Sequence, residues 1–353
     1  MIFSPDIIFK INHSDIPAID SYTILFNNGC LVDNKHIHQL PEGVVAGSIK
    51  QYASSCHDFF SKYNFSDDLN TTLDGDGFFL FVPAGAKPSK PIKITNLING
   101  NNHALIQTRN LVMMEAGSSI NLLISDNALG NESCTCNNVT VVALGNEAHL
   151  EMVRLQTMNS ATRLNTNTTV QQAASSRMKT HYITLSGNDV HNSLKVTLNG
   201  QKAEHFAAGL SLIQQTEHVD NDMLMIHASP DCQSNQLFKN ILSDKSTGVF
   251  TGRIVVNPNA FKTTAYQRSS NILLHPKAKM EIRPQLEIYA DDVKCSHGAT
   301  VGQLDSEALF YLRSRGIDES EAKKLLLRAF AHEVLDGISC TSFRESLIEE
   351  LNN

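Results

Sequence analysis

At 353 residues the chain is long enough to bury a sizeable core and too long for one small domain. Its formal charge of -7, with no basic cluster interleaved with aromatics, argues against nucleic acid as a partner, and no apolar run approaches the roughly 20 residues that span a bilayer. The N-terminus, MIFSPDIIFKINHSD, has no basic stretch leading into an apolar one, and seven scattered cysteines do not make a secreted disulfide framework, so the expectation is a cytoplasmic protein with reduced thiols. The charged fraction of 18% is below the usual value of about 25%, and low charge with abundant Asn, Ser and Thr suits a large β structure with Asn in its turns.

Residues 1–74 read as a short mixed N-terminal region. Val44, Val45, Ile49, Tyr52, Phe59 and Phe60 have loosely helical spacing within 41–65, and Asp74 to Gly77 (DGDG) reads as a turn. Over 75–303 short runs rich in Val, Ile, Leu, Thr and Phe recur between Gly, Asn, Asp and Ser clusters. A loose theme of turn, small residue and alternating apolar residues returns at Glu115–Ile124, Gly145–Val153 and Pro276–Ile282. Irregular repeats of this kind fit the coils of a parallel β-helix, although a β-sandwich has a similar turn rhythm.

Residues 304–353 turn helical and predict a small C-terminal helical domain. Asp305 caps a helix running to Arg313, with Gly316 as its stop; a second starts at Asp318 or Ser320 and ends at Gly337. Ala322, Leu325, Leu326, Ala329, Phe330 and Val334 form the expected apolar stripe of that second helix. It is first of all core-facing, and what it leaves uncovered could dock another protein. Ser342 and Glu345 open a third helix carrying Phe343, Leu347 and Leu351.

The chain contains no Gly-Lys dipeptide, so it has no phosphate-binding loop, and it lacks GxSxG, HExxH and GxGxxG. Cys134 and Cys136 stand at i, i+2 with no matching second pair nearby, and read as surface or loop thiols. His227 and Cys232 flank a Pro turn and read as a packed or turn-supporting pair. Asp291 and Asp292 read as solvated. Cys295 and His297, also at i, i+2, share one face of an extended strand. They are either a buried thiol beside a hydrogen-bonded histidine or half of a soft-metal pair, because two ligands complete neither a tetrahedral site nor a cluster.

The block YADDVKCSHGATVGQLD (289–305), the following LFYLRSRGI (309–317), AFAHEV (329–334) and the upstream NQLFKNILSDKSTGVFTGRIVV (235–256) together resemble the SufB/SufD family of the SUF iron–sulfur cluster assembly machinery. LFVPAGAKPSKPIKI (80–94) resembles the entry to that family's β-helix, and CSHGATVGQLD favours the SufD branch. The similarity covers about 77–335, whereas the N-terminal region resembles the family poorly.

The resemblance implies a mainly β chain, a right-handed parallel β-helix flanked by helical regions. It also implies a non-catalytic scaffold that pairs with a SufB-type paralogue through the β-helix and with a SufC-type ABC ATPase through the C-terminal helices, with Leu325, Leu326 and Phe330 as contacts. Cys295 and His297 match positions the family places at the paralogue interface, where iron or a nascent Fe–S cluster is shared and none is held stably by the isolated chain. Cys232 also matches a family cysteine. In isolation the chain could form a homodimer. Two other readings compete: a purely structural subunit with no metal-ligand role, and a polysaccharide-cleaving β-helix enzyme, which the absence of Trp and of a secretion signal disfavours.

Overall fold

The computed structural model describes residues 19–33, 37–52, 76–100 and 104–352. From Phe78 to Gly302 the described strands alternate between two parallel sheets, one completed to ten strands and the other to nine, so each turn of chain adds one strand to each. The result is a parallel β-solenoid of about eight turns. In the ten-stranded sheet Arg177 pairs with His149, Glu204 with Arg177, Gln233 with Glu204, Thr264 with Gln233 and Lys294 with Thr264, which are steps of 28, 27, 29, 31 and 30 residues.

One backbone device recurs once per turn. Gly85, Gly117, Glu147, Ser175, Lys202, Asp231, Lys262 and Asp292 all have φ between 52° and 72° at the same corner. From Gly117 to Lys262 each donates its N–H to a carbonyl in the corresponding corner of the next turn, as in Glu147 N to Ala174 O at 2.9 Å and Lys202 N to Pro230 O at 3.2 Å. That bond repays the roughly 1–2 kcal/mol an L-residue loses in the left-handed region.

The solenoid interior is apolar toward both ends of its strands and polar along rows between them. Leu80, Val112, Ile124, Leu150, Tyr182, Phe238, Phe250 and Ile254 belong to its main core cluster. The asparagines are not confined to turns. Asn110, Asn138, Asn192, Asn221, Asn240 and Asn271 are buried on strands, and neighbouring turns bond amide to amide: Asn110 to Asn138 at 2.7 Å, Asn192 to Asn221 at 3.0 Å, Asn240 to Asn271 at 2.7 Å. An in-register stack lets each amide donate to the one above it, which a turn position would not.

The N-terminal region extends the first turn with strands. Tyr22–Asn27 and Cys30–Asp33 form a hairpin around Asn28-Gly29, both at positive φ (49° and 82°), the dipeptide that two-residue hairpins prefer. Tyr22–Asn27 then pairs in parallel with Ile92–Asn99, and Val45–Ser48 pairs antiparallel with Phe78–Val82. The expected helical character is therefore wrong for residues 44–52, where an available strand edge outweighs a weak helical spacing; residues 53–65 lie outside the described part. Asp76 holds this junction together, accepting from the Ser48 hydroxyl at 2.7 Å and from the Gly77 amide at 2.8 Å.

Three helices follow the solenoid: α1 (Ser306–Ser314), α2 (Glu319–Leu335) and α3 (Thr341–Asn352). Asp305 caps α1 through the Glu307 and Ala308 amides, and Asp318 caps α2 through those of Ser320 and Glu321, as the sequence indicates. Phe343, Leu347 and Leu351 of α3 are buried. The stripe expected for α2 is misplaced. Its buried residues are Ala322, Lys323, Leu327, Ala331, Val334 and Leu335, while Leu325 and Ala329 are exposed. Two apolar stripes compete on this helix, and the outer face of the ten-stranded sheet, presenting Leu155, Ile183, Leu210, Leu237 and Ile241, selects the other one.

Polar clamps hold the helices down. Lys239 Nζ donates to the Phe330 carbonyl at 2.9 Å and sits 4.2 Å from the Phe330 ring centre; Glu333 pairs with both Lys239 and Arg268. The Glu151 carboxylate accepts from the amides of Ser339 at 2.7 Å and Cys340 at 3.2 Å, just before α3. Glu151→Gln is expected to cost about 1.5 kcal/mol by weakening a charged acceptor of two amides, and to raise hydrogen exchange in α3 selectively. Uniform exchange across the chain would contradict that tether.

Candidate functional site at the last turn of the solenoid

The solenoid's final turn consists of Lys279–Ile288 and Lys294–Gly302, and among the described residues no further strand covers it. Alternation and register decide where its side chains point. Cys295 pairs with Ala265 and His297 with Gln267, both of which face the interior and are buried. Cys295 and His297 therefore lie on the inward side of the last strand, as the i, i+2 spacing requires, but with none of the described residues stacked as a further turn beyond them. Cys295 is half-buried against the core beside Val293, Leu286 and Ile282, whereas His297 is exposed.

Burial pushes the Cys295 thiol above its ordinary range, partly offset by a backbone hydrogen bond from Ala265. A thiol in that state must lose its proton to bind metal. A cleft of about 580 Å³ beside the last strand is lined by Tyr266, Gln267, Arg268, Ser296, His297, Gly298 and, from α2, Glu333. The amide of Gln267 is buried beneath His297 with neither of its polar atoms bonded among the described residues, and Gln236, one turn further in, is in the same condition. Among the described residues no third His, Cys, Asp or Glu joins Cys295 and His297 at ligand spacing.

The remaining sequence candidates are dispersed. Cys134 and Cys136 are not surface or loop thiols. Both lie buried on the inward face of the strand Cys134–Leu144, and burial drives the Cys136 thiol up to about 12. The i, i+2 spacing that suggested a pair is that of two core positions. Cys232 is buried and its Sγ donates to the Gly200 carbonyl at 3.2 Å; His227 is buried with Nε2 2.8 Å from the Ser234 hydroxyl, and desolvation lowers it to about 4. Asp291 and Asp292 are exposed, at a bend rather than on a strand. Leu325 is exposed and Leu326 half-buried; Phe330 is engaged by Lys239 as described.

Sequence reasoning missed a further grouping. Asp189, His191 and His218 bring ligand atoms within 4.8 Å of one another on the outer face of the nine-stranded sheet. Only the 29-residue step between Asp189 and His218 could have announced it, and that step is invisible until the register is known. No helix among the described residues is long and apolar enough to cross a membrane.

Comparison with known proteins bears on the whole chain. Residues 96–330 match the model of the SUF system FeS cluster assembly SufBD core domain, and residues 5–94 match that of the SufBD protein N-terminal region. The N-terminal region is thus more family-like than its sequence suggested. The chain is 29% identical to iron–sulfur cluster assembly protein SufD of Escherichia coli over 76% of its own length and 64% of that protein's. It is 27% identical to a SufBD family protein of Synechocystis over 94% of this chain and 77% of the relative, and 30% identical to the chloroplastic protein ABCI7 of Arabidopsis thaliana over 87% and 68%. With a core-domain match across most of the solenoid and α2, the chain belongs to the SufB/SufD family of SUF iron–sulfur cluster assembly proteins.

Proposed function

We propose that this chain is a non-catalytic scaffold subunit that pairs with a SufB-type paralogue through the end of its solenoid and with a SufC-type ATPase through its C-terminal helices. The observation that carries the reading is the uncovered last turn. Met280, Ile282, Leu286, Val293 and Cys295 are only partly buried there, Tyr289 and Val301 are exposed, and the strand edges are unpaired among the described residues. An apolar end with free edges invites a strand-bearing partner. Cys295 and His297 offer one soft and one borderline ligand at that end, so a partner would supply the rest of an iron or nascent-cluster coordination shell. The exposed Phe310 and Tyr311 of α1 and Leu325 of α2 support a second docking face on the helices.

A purely structural subunit is the second reading, favoured by the half-burial of Cys295 against the core. Iron and acid-labile sulfide in the reconstituted complex separate the two. Cys295→Ala and His297→Ala are each expected to lower both by about tenfold with partner recovery unchanged; wild-type cluster content in both variants leaves only the structural role. Failure of the chain to co-purify with a paralogue and an ATPase would sink both readings.

A further inference from the structure

The outer face of the nine-stranded sheet carries a further side-chain constellation, on the sheet opposite the strand that bears Cys295 and His297. Four adjacent strands, Thr162–Gln172, Asp189–Leu198, His218–His227 and Thr247–Val256, run in parallel register. That register lines up Arg163, Asp189, His218 and Thr247 in one row, with His191 and Asp220 paired beside it. Neighbouring turns are about 4.8 Å apart, so side chains in a row touch, and alternation keeps Asp189 and His191 on the same face.

We propose that Asp189, His191 and His218 form a binding site for a divalent first-row transition ion. His191 Nε2 stands 2.8 Å from Asp189 Oδ1, and the ligand atoms of all three residues lie within 4.8 Å of one another. Donor atoms that share an ion at about 2.0–2.1 Å stand about 2.9–3.4 Å apart, so small side-chain rotations close the set. The Asp189 oxygen facing His191 is buried and has only that imidazole beside it among the described residues, while the other is held by Arg163 Nε at 2.7 Å, which fixes the carboxylate.

Each histidine also has the outer partner that orients a metal ligand. Thr247 Oγ1 lies 2.7 Å from His218 Nδ1, which leaves Nε2 as the ligand atom, and Asp220 Oδ2 lies 3.6 Å from His191 Nδ1. A carboxylate or hydroxyl behind the imidazole sets the tautomer and raises its basicity. An ion pair of His191 with Asp189 and Asp220 accounts for one imidazole but gives no role to the second, whose ring centre is 5.5 Å from the first. Two imidazoles with one carboxylate suit iron(II), cobalt, nickel or zinc, and suit magnesium and calcium poorly.

The test uses the full chain carrying Cys295→Ala and His297→Ala, so that its outcome is independent of the last-turn site. Cobalt(II) titration, followed by visible absorption, is expected to show one saturable site, displaced by zinc and not by magnesium. His191→Ala and His218→Ala should each weaken it by at least about 100-fold, and Thr247→Val, which keeps every ligand, by about tenfold. Far-ultraviolet dichroism of each variant checks the fold. No saturable uptake, or uptake that both histidine variants leave unchanged, overturns the site.

Discussion

Asp126→Ala is expected to lower the unfolding free energy by about 3–5 kcal/mol, because it strands a guanidinium inside the solenoid. Asp126 and Arg154 are 1% and 0% exposed, with Arg154 Nε 2.5 Å from Asp126 Oδ2. Asp126 is held in turn by Asn96 Nδ2 at 2.8 Å, and the two terminal nitrogens of Arg154 are buried without a partner among the described residues. A charge already short of hydrogen bonds has no reserve when its counter-ion is removed. Replacing both residues by apolar ones of similar volume, as in Asp126→Leu with Arg154→Met, should recover most of the loss, since it removes both desolvation costs with the attraction. Denaturant unfolding of the two single variants and the double closes the cycle. Strictly additive losses would show that the pair is not coupled as its geometry implies.

The second large effect is loss of stability in mild acid. Burial lowers His181 and His205 to about 3 and His227 to about 4. His205 lies between the Gln172 carbonyl oxygen and the Thr180 hydroxyl, and His227 bonds Ser234. His181 is 3.7 Å from a Glu151 oxygen, which would favour its charged form, but that carboxylate already serves two backbone amides, and Lys179 adds to the burial penalty. An unfolded histidine titrates near 6.5. Below that pH the unfolded chain binds protons that the folded chain refuses, so stability is retained above about 6.5 and falls as the pH drops toward 3–4. Each buried histidine contributes a slope of up to about 1.4 kcal/mol per pH unit. Urea midpoints at pH 7 and pH 5 should therefore differ strongly, and His205→Gln should reduce the difference. Equal midpoints at the two pH values would mean that these imidazoles are not buried neutral.

The turn theme at Glu115, Gly145 and Pro276 does precede the strands Ser119–Leu129, His149–Thr157 and Lys279–Ile288, and the caps at Asp305 and Asp318 are where the sequence puts them. These features are local, set by residues within a few positions of one another. The repeat looked loose because its defining conformation, a left-handed residue at the same corner of each turn, is filled by Glu147, Ser175, Lys202, Asp231, Lys262 and Asp292 as well as by glycine. Up to Lys262 a bond to the next turn stabilises that conformation, so no residue type is required there.

The sequence by itself determined the β-rich middle and helical end, the caps, the family resemblance and the common face of Cys295 and His297, because strand and helix periodicity act over short spans. Only the tertiary structure decided that Cys134 and Cys136 are core thiols, that Leu327 and Ala331 rather than Leu325 and Ala329 dock α2, and that Cys295 and His297 sit on the last described turn of the solenoid. It also decided which residues 27 to 31 positions apart become neighbours. The spacing between turns varies with each corner, so the row of Arg163, Asp189, His218 and Thr247 exists only once the coils have stacked in register.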